Sequence, residues 1–338
     1  MRRAVWDPLA LKLDGAERIF IVPDGTLHLV SFGALPVGRT SYLVEHGPVL
    51  HLLSAERELV REPATQRGDG ILALGGASFG RLPGSVSRPA TTHERAPCED
   101  FRTHEFEPLP GSEEEVKRIA KIWGDRSDVA LVTGAQATEA AFRSLAPGRE
   151  VVHVASHGFF FRDSCEPGSG STGTRGIGGV VSPAARPSRR PPRDNPLRLS
   201  GIAMAGANRR GQTAEGTDDG ILTAEEIASV DLSRVSWVVL SACDTGLGEI
   251  QSGEGVLGLR RAFQIAGAGT LVMSLWAVED KSALEWMADL YAYRVRHGLG
   301  TSDAIREASR NRLQARRKEG RGTHPYFWAG FVAAGAWD

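Results

Sequence analysis

The segment Val238–Gly248 has the sequence VVLSACDTGLG, and it is the main basis for the fold that we expect for this chain. Its apolar half belongs to the run VSWVVLSA at Val235–Ala242, which is typical of a central parallel strand covered on both faces. A second stretch, Val151–Phe160 (VVHVASHGFF), has the same form, because a buried strand again ends in a reactive side chain near glycine. The two stretches therefore predict a parallel sheet with Cys243 and His157 at the ends of two strands.

Further apolar runs alternate with amphipathic segments along the chain, which is the pattern of an α/β protein. Strands are predicted at Glu17–Pro23, Ile71–Gly75, Ala130–Thr133, Val151–Ser156 and Thr270–Trp276, with a short extended segment at Leu27–Leu35. Helices are predicted at Ser112–Trp123, Thr138–Leu145, Val256–Ala266, Lys281–His297 and Ser302–Arg316. Ser112 with Glu115, and Thr223 with Glu226, match the capping-box pattern at a helix start.

The composition excludes several classes of protein. The 338 residues include 40 Lys and Arg against 41 Asp and Glu, a net charge of −1 that provides no basic surface for nucleic acid or membranes. The longest apolar runs are far shorter than the roughly 20 residues of a membrane-spanning helix. Met1–Gly15 lacks the apolar core of a secretory signal. Three cysteines, at positions 98, 165 and 243, are too few for a disulfide framework and favour a cytoplasmic setting.

The 40 glycines and 18 prolines are concentrated in two polar stretches. Gly80–Pro97 reads as a connector, and Asp163–Arg193 as a long flexible loop inserted directly after a strand. Long loops inside compact domains are usually functional or disordered. We therefore expect the insertion to gate a nearby site, and its run Arg186–Arg193 is either a processing site or simply a solvated part of the loop.

Cys243 and His157 form a plausible catalytic pair. Parallel sheets bind ligands at the carboxyl ends of their strands, so two neighbouring strands would bring both side chains to one edge. A neighbouring imidazole can take the proton of a thiol and later protonate a leaving amine. The backbone N–H groups of Gly158 and Cys243 are suited to stabilise an oxyanion there.

Simpler interpretations of the same residues remain open. A cysteine at a strand end is often a small buried apolar residue, and a histidine in a strand is usually structural, as we expect for His153. The set His153, His157 and Cys165 matches no zinc-binding spacing. No metal and no cofactor is therefore predicted.

Seven segments in a fixed order resemble the CHAT family, the caspase-like cysteine peptidase domain related to separase. They are Ile19–Leu35, Leu109–Ile119, Val151–Gly158, Asp219–Ile227, Val238–Gly248, Ser252–Asp280 and His324–Gly335. The resemblance implies a caspase-like three-layer α/β/α sandwich with a mostly parallel central sheet. It implies one domain over residues 1–338, with a supporting half (1–150) and a catalytic half (151–338) that carries the insertion 163–193. It also implies that His157 is the general base and acid and that Cys243 is the nucleophile.

Four further residues are candidates for the substrate pocket. Glu254 either orders the loop after the nucleophile or complements a helix dipole, and Asp244 either lines the cleft or caps a turn. The resemblance to separase places Asp280 near a pocket for a basic P1 side chain, although Asp280 also suits the N-cap of the following helix. Trp276 either walls the cleft or packs in the core.

The expected activity is that of a cysteine endopeptidase that cleaves one specific protein as a regulated switch in bacterial signalling or defence. The family suggests a gasdermin-like or other effector protein as the substrate, and tetratricopeptide repeats or another sensor module as the regulator. The alternative is a catalytically inactive scaffold with the same fold. A small-molecule site is a third interpretation, but no phosphate or nucleotide motif supports it.

Overall fold

A computed structural model describes residues 1–60, 67–80, 105–160, 197, 200–212, 218–241, 254–276 and 278–337. Cys243, Asp244 and the insertion 163–193, with its arginine-rich run, lie outside the described residues. The same holds for most of the connector Gly80–Pro97. Within the described part of the chain, no helix is both long and apolar enough to cross a membrane.

The strands form one large sheet and two small ones. The strands are β1 Arg18–Ile21, β2 Pro36–Val37, β3 Ser41–Tyr42, β4 Val49–Leu52, β5 Ile71–Ala77, β6 Val129–Gly134, β7 Val151–Ala155, β8 Gly158–Phe160, β9 Ser200–Ala203, β10 Ile221–Thr223, β11 Trp237–Ser241, β12 Thr270–Ser274 and β13 Phe331–Gly335. The large sheet has the order β1-β4-β13-β12-β11-β7-β5-β6. All its pairings are parallel except that of β12 with β13. The expected mostly parallel central sheet is therefore confirmed.

Helices cover both faces of the large sheet. The helices are α1 Arg2–Val5, α2 Asp7–Ala10, α3 Leu43–His46, α4 Pro110–Trp123, α5 Glu139–Leu145, α6 Ala224–Ala228, α7 Glu254–Ile265, α8 Asp280–Tyr291 and α9 Thr301–Lys318. Apolar residues of α4, α8 and α9 pack with Val151, Trp237 and Val239 on one face. Those of α5, α6 and α7 pack with Val152 and Val238 on the other. Successive strand side chains point to opposite faces, so the continuous apolar runs fill both layers.

The strands and helices predicted from sequence are present with small shifts at their ends. The prediction of an extended segment at Leu27–Leu35 is wrong, because this stretch forms 3₁₀ turns over Gly25–Leu29 and Phe32–Ala34. The apolar side chains of Val30, Phe32 and Leu35 pack into the core from this irregular backbone. Apolar spacing alone does not distinguish such a path from a strand, so the residue pattern does not predict it.

The capping box at Thr223 is confirmed at the start of α6. The Glu226 N–H donates to Thr223 Oγ1 over 3.2 Å, and the Thr223 N–H donates to Glu226 Oε2 over 2.8 Å. Two N-terminal N–H groups thus receive partners reciprocally.

We expect Thr223→Ala to lower the free energy of unfolding by about 1 kcal/mol, because the Glu226 N–H loses its acceptor. Urea denaturation measures this loss. The control is Ser229→Ala at the exposed far end of α6, where the hydroxyl only donates to the Glu225 carbonyl and a smaller change is expected. Equal loss in the two variants would contradict the capping role.

Glu139, at the start of α5, has a buried carboxyl group that connects this helix to β10. The residue is 2% exposed, and its Oε1 accepts from the Gly220 and Ile221 N–H groups over 2.7 and 3.2 Å. Burial is the main reason that the pKa of Glu139 rises from 4.5 to about 7, and the charges of Glu226 and Asp218 add to the rise. The hydrogen bonds from the Gly220 N–H and Arg143 oppose it.

The raised pKa of Glu139 predicts a stability that depends on pH. Between pH 4.5 and about 7 the folded chain holds a proton that the unfolded chain releases, so the free energy of unfolding falls as pH rises through this window. We expect Glu139→Gln to remove this part of the slope in denaturation curves taken at several pH values. Glu113→Gln, at an exposed position on α4, should leave it intact. An unchanged slope in Glu139→Gln would contradict the assignment.

Candidate active site

Four neighbouring strands end at the edge of the sheet where His157 lies. In the register of β7 with β11, Ala155 is opposite Ser241, and in that of β5 with β7, Gly75 is opposite Ala155. The end of β12 lies on the far side of β11. The expectation that the strands leading to His157 and Cys243 are neighbours is thus confirmed. His157 follows Ala155 by two positions and Cys243 follows Ser241 by two positions, although Cys243 itself lies outside the described residues.

His157 is held in one orientation by a backbone carbonyl. The residue is 4% exposed, and its Nε2 lies 2.6 Å from the carbonyl oxygen of Glu107. A carbonyl oxygen only accepts, so Nε2 carries the hydrogen and donates it. In the neutral ring the lone pair is then on Nδ1, which is the nitrogen able to take a proton from a nucleophile.

Two phenylalanines pack against the imidazole of His157. The ring centroids of Phe79 and Phe106 lie 5.2 and 5.6 Å from that of His157. Phe79 is 4% and Phe106 2% exposed, so they close part of the site to water. They follow β5 and precede α4, respectively, and bring parts of the chain that are distant in sequence to the same ring.

Gly158 lies where the chain leaves the large sheet for the small one. The carbonyl of His157 accepts from the Ala203 N–H over 2.9 Å, and Gly158 begins β8 opposite Ile202 of β9. The backbone on either side of His157 is therefore fixed by two different sheets.

The carboxylate of Asp280 caps helix α4. Its Oδ2 accepts from the Gly111 N–H over 2.7 Å, and this N–H is one of those at a helix start that lack an intrahelical partner. The expectation that Asp280 is the N-cap of its own helix is wrong, because Glu279 occupies that position. A Cβ at Gly111 would clash with the carboxylate of Asp280, which explains the glycine in the segment LPGSEEE.

Ser112 and Glu115 do not form the predicted capping box. Helix α4 begins two residues earlier, at Pro110, so Ser112 lies inside its first turn. Its hydroxyl donates to the Leu109 carbonyl over 2.7 Å and accepts from the Gly76 N–H over 3.0 Å, which joins the helix start to the end of β5. A proline at the first helical position is compatible with this earlier start.

Glu115 belongs instead to a buried network around His153. Its Oε1 lies 2.8 Å from His153 Nε2, and the hydroxyl of Tyr291 lies 3.1 Å from His153 Nδ1. Burial, and secondly the charge of Glu115, raise the pKa of Tyr291, which keeps its hydroxyl neutral. The network joins α4, β7 and α8 beneath the sheet edge, in agreement with the structural role expected for His153.

Of the other candidate pocket residues, Trp276 is half-buried after β12. Its Nε1 donates to the Tyr326 carbonyl over 3.2 Å, and its ring packs with the cluster around Trp328, so core packing accounts for much of its surface. Glu254 is the first residue of α7, and its side chain lies outside the described part of the structure. Asp244 also lies outside it.

Sequence reasoning missed the carbonyl of Glu107 and the two phenylalanines. A backbone acceptor has no side-chain signature, and Phe79 and Phe106 border a polar connector that separates them in sequence. Among the described residues, no group of three or more His, Cys, Asp or Glu side chains is arranged to hold a metal ion.

We expect Asp280→Ala to lower the free energy of unfolding by about 1–2 kcal/mol, because the Gly111 N–H loses a charged acceptor. Asp280→Asn is the matched control, since its amide oxygen can still accept this hydrogen and a smaller loss is expected. Thermal and urea unfolding measure both variants. If neither variant changed stability and both altered only a preference for basic peptides, the capping role would be wrong.

Three comparisons relate the chain to known proteins. The CHAT domain profile matches residues 1–336. The chain is 24% identical over 348 residues to the human tetratricopeptide repeat protein 28, an alignment that covers 99% of this chain and 13% of that protein. Two solved structures are similar. The Arg-specific cysteine proteinase gingipain R has a TM-score of 0.47 at 10% identity, covering 90% of this chain and 56% of its own. The Saccharomyces cerevisiae separase–securin complex has a TM-score of 0.45 at 12% identity. This similarity covers 94% of this chain and 15% of the separase chain. The profile match over nearly the whole length shows that the chain belongs to the CHAT domain family.

Proposed function

We propose that the chain is a cysteine endopeptidase in which Cys243 is the nucleophile and His157 the general base and acid. The observation that carries the proposal is the parallel register of β7 and β11, with Ala155 opposite Ser241. His157 and Cys243 each follow these paired residues by two positions in sequence. Side chains at equal offsets beyond paired parallel strands are suited to meet at one sheet edge.

The proposed chemistry follows from the orientation of His157. Nδ1 of the imidazole takes the proton of the Cys243 thiol, and the thiolate attacks the carbonyl carbon of the scissile peptide. As the C–N bond breaks, the imidazolium returns this proton to the leaving amine and an acyl-enzyme remains. Water, deprotonated by the same imidazole, then attacks the thioester and releases the second product and the free thiol.

The Glu107 carbonyl supports the charged state in this cycle. The hydrogen bond from Nε2 to that oxygen persists when Nδ1 is protonated, and it stabilises a cation better than a neutral ring. It also keeps the imidazole from rotating between its two roles. The N–H groups of Gly158 and Cys243 would stabilise the tetrahedral oxyanion, which lowers the barrier of both acyl-transfer steps.

The substrate pocket would be formed by Asp244, Glu254 and Trp276 around this pair. Trp276 follows β12, whose neighbour β11 leads to Cys243, so one edge of its ring is suited to wall a cleft. Asp280 would act on the pocket through α4, since its carboxylate is bound to Gly111. The Asp280 carboxylate accepts from the Gly111 N–H, so a preference for a basic P1 side chain would depend on Asp244 and Glu254.

The proposed substrate is a specific protein, cut as a regulated step in bacterial signalling or defence. The human relative is a tetratricopeptide repeat protein by name, which supports a partnership between this kind of domain and a repeat module. This chain spans 13% of the length of that relative.

We expect the wild-type protein to generate new N-termini in a candidate proteome. In Cys243→Ala and His157→Ala, the rate at which these termini form should fall by about 10³-fold or more. Mass spectrometry of labelled termini measures the effect. Cys165→Ala, another cysteine of the chain, is the matched control and should cleave like wild type. Equal cleavage by wild type and Cys243→Ala would contradict the proposal, and absence of cleavage by all variants would favour an inactive scaffold.

A further inference from the structure

Asn208 is a buried amide beside the segments that contact His157. It lies in the 3₁₀ stretch Ala207–Gln212 after β9 and is 1% exposed. The main chain here runs along the segment after β5, since the Gly206 and Asn208 N–H groups donate to the Ser78 and Phe79 carbonyls over 3.0 and 2.9 Å. The side chain of Asn208 therefore starts from a fixed backbone.

The amide of Asn208 joins two chain segments through three hydrogen bonds. Its Nδ2 donates to the carbonyls of Gly80 and Phe106 over 3.0 and 2.9 Å. Its Oδ1 accepts from the Phe106 N–H over 2.8 Å. Both hydrogens and the oxygen are used, and no other side chain of this size offers two donors and an acceptor in this arrangement. Phe106 is thus held at both its N–H and its carbonyl by one side chain.

The segments that Asn208 joins are the ones that hold His157. Phe79 and Phe106 pack on its ring, and the residue after Phe106 provides the carbonyl that accepts from Nε2. Asn208 thus connects the segment after β5 with the segment before α4.

We propose that Asn208 is a positioning residue for catalysis, which fixes the Glu107 carbonyl and the two phenyl rings so that His157 presents Nδ1 to the nucleophile. The catalytic role of Asn208 rests on the proposed function, whereas its effect on the orientation of His157 does not. Asn208 touches neither substrate nor the reacting atoms. Displacements of about 1 Å in such supporting groups can lower rates by about 100-fold.

The test uses two readouts on the full chain. The first is the downfield proton NMR signal of the His157 ring N–H, assigned by its loss in His157→Ala. The second is the rate at which iodoacetamide alkylates Cys243 from pH 5 to 9, measured by mass spectrometry with Cys98 and Cys165 as internal references. We expect Asn208→Ala to broaden or shift the signal and to lower the alkylation rate of Cys243 near pH 6 about 10-fold or more.

Two variants separate positioning from general stability. Asn208→Asp keeps an acceptor for the Phe106 N–H but turns an oxygen toward the Gly80 and Phe106 carbonyls, so it should perturb both readouts even where the fold is kept. Asn311→Ala removes an amide that donates to Asp289 between α8 and α9, and it should change stability without moving either readout. A folded Asn208→Ala that keeps the wild-type signal and pH profile would overturn the inference.

If both Asn208 variants fail to fold, hydrogen exchange of the wild-type Phe106 amide tests the inference. Protection like that of the β7 amides supports the hydrogen bonds from Asn208 to Phe106, and exchange at the rate of an open loop overturns the inference. The failure of the proposed function looks different. In that case wild-type Cys243 reacts like Cys98 and Cys165, while the NMR signal of His157 still responds to Asn208.

Discussion

The parallel pairing of β7 with β11 determines which residues lie side by side at the proposed site. A shift of one residue in this register would turn every side chain of one strand to the other face, and both faces are buried under helices. The apolar layers therefore fix the register, and the register fixes which residues lie side by side at the strand ends. The geometry of the proposed dyad is in this sense a consequence of core packing.

Helix α4 and the residues before it supply the second half of the arrangement. Asp280 binds the helix start, Ser112 joins it to the end of β5, and Glu115 joins it to His153 inside β7. These contacts join α4 to three different elements, and the segment that carries the Glu107 carbonyl leads directly into the start of this helix.

The sequence predicts much of this fold because long apolar runs and helical periodicity are local signals. It predicts His157 through the same signal, since a reactive side chain ends a buried strand. It does not predict the 3₁₀ path over Leu27–Leu35, because apolar spacing there is compatible with more than one backbone conformation. It also does not predict the early start of α4, where the helix begins at Pro110 and not at the serine of the capping pattern. The Glu107 carbonyl and the Asn208 amide depend on contacts between distant segments, and single-sequence patterns carry no information about those.

Chemical cross-linking measures whether Cys243 and His157 meet at one sheet edge. 1,3-Dibromoacetone loses one bromide to the Cys243 thiolate and the second to a nucleophile within reach of its three-carbon unit. We expect a peptide containing Cys243 joined to the peptide containing His157, and no such product in His157→Ala. Alkylation of Cys243 with no link to His157 would show that the two side chains do not meet.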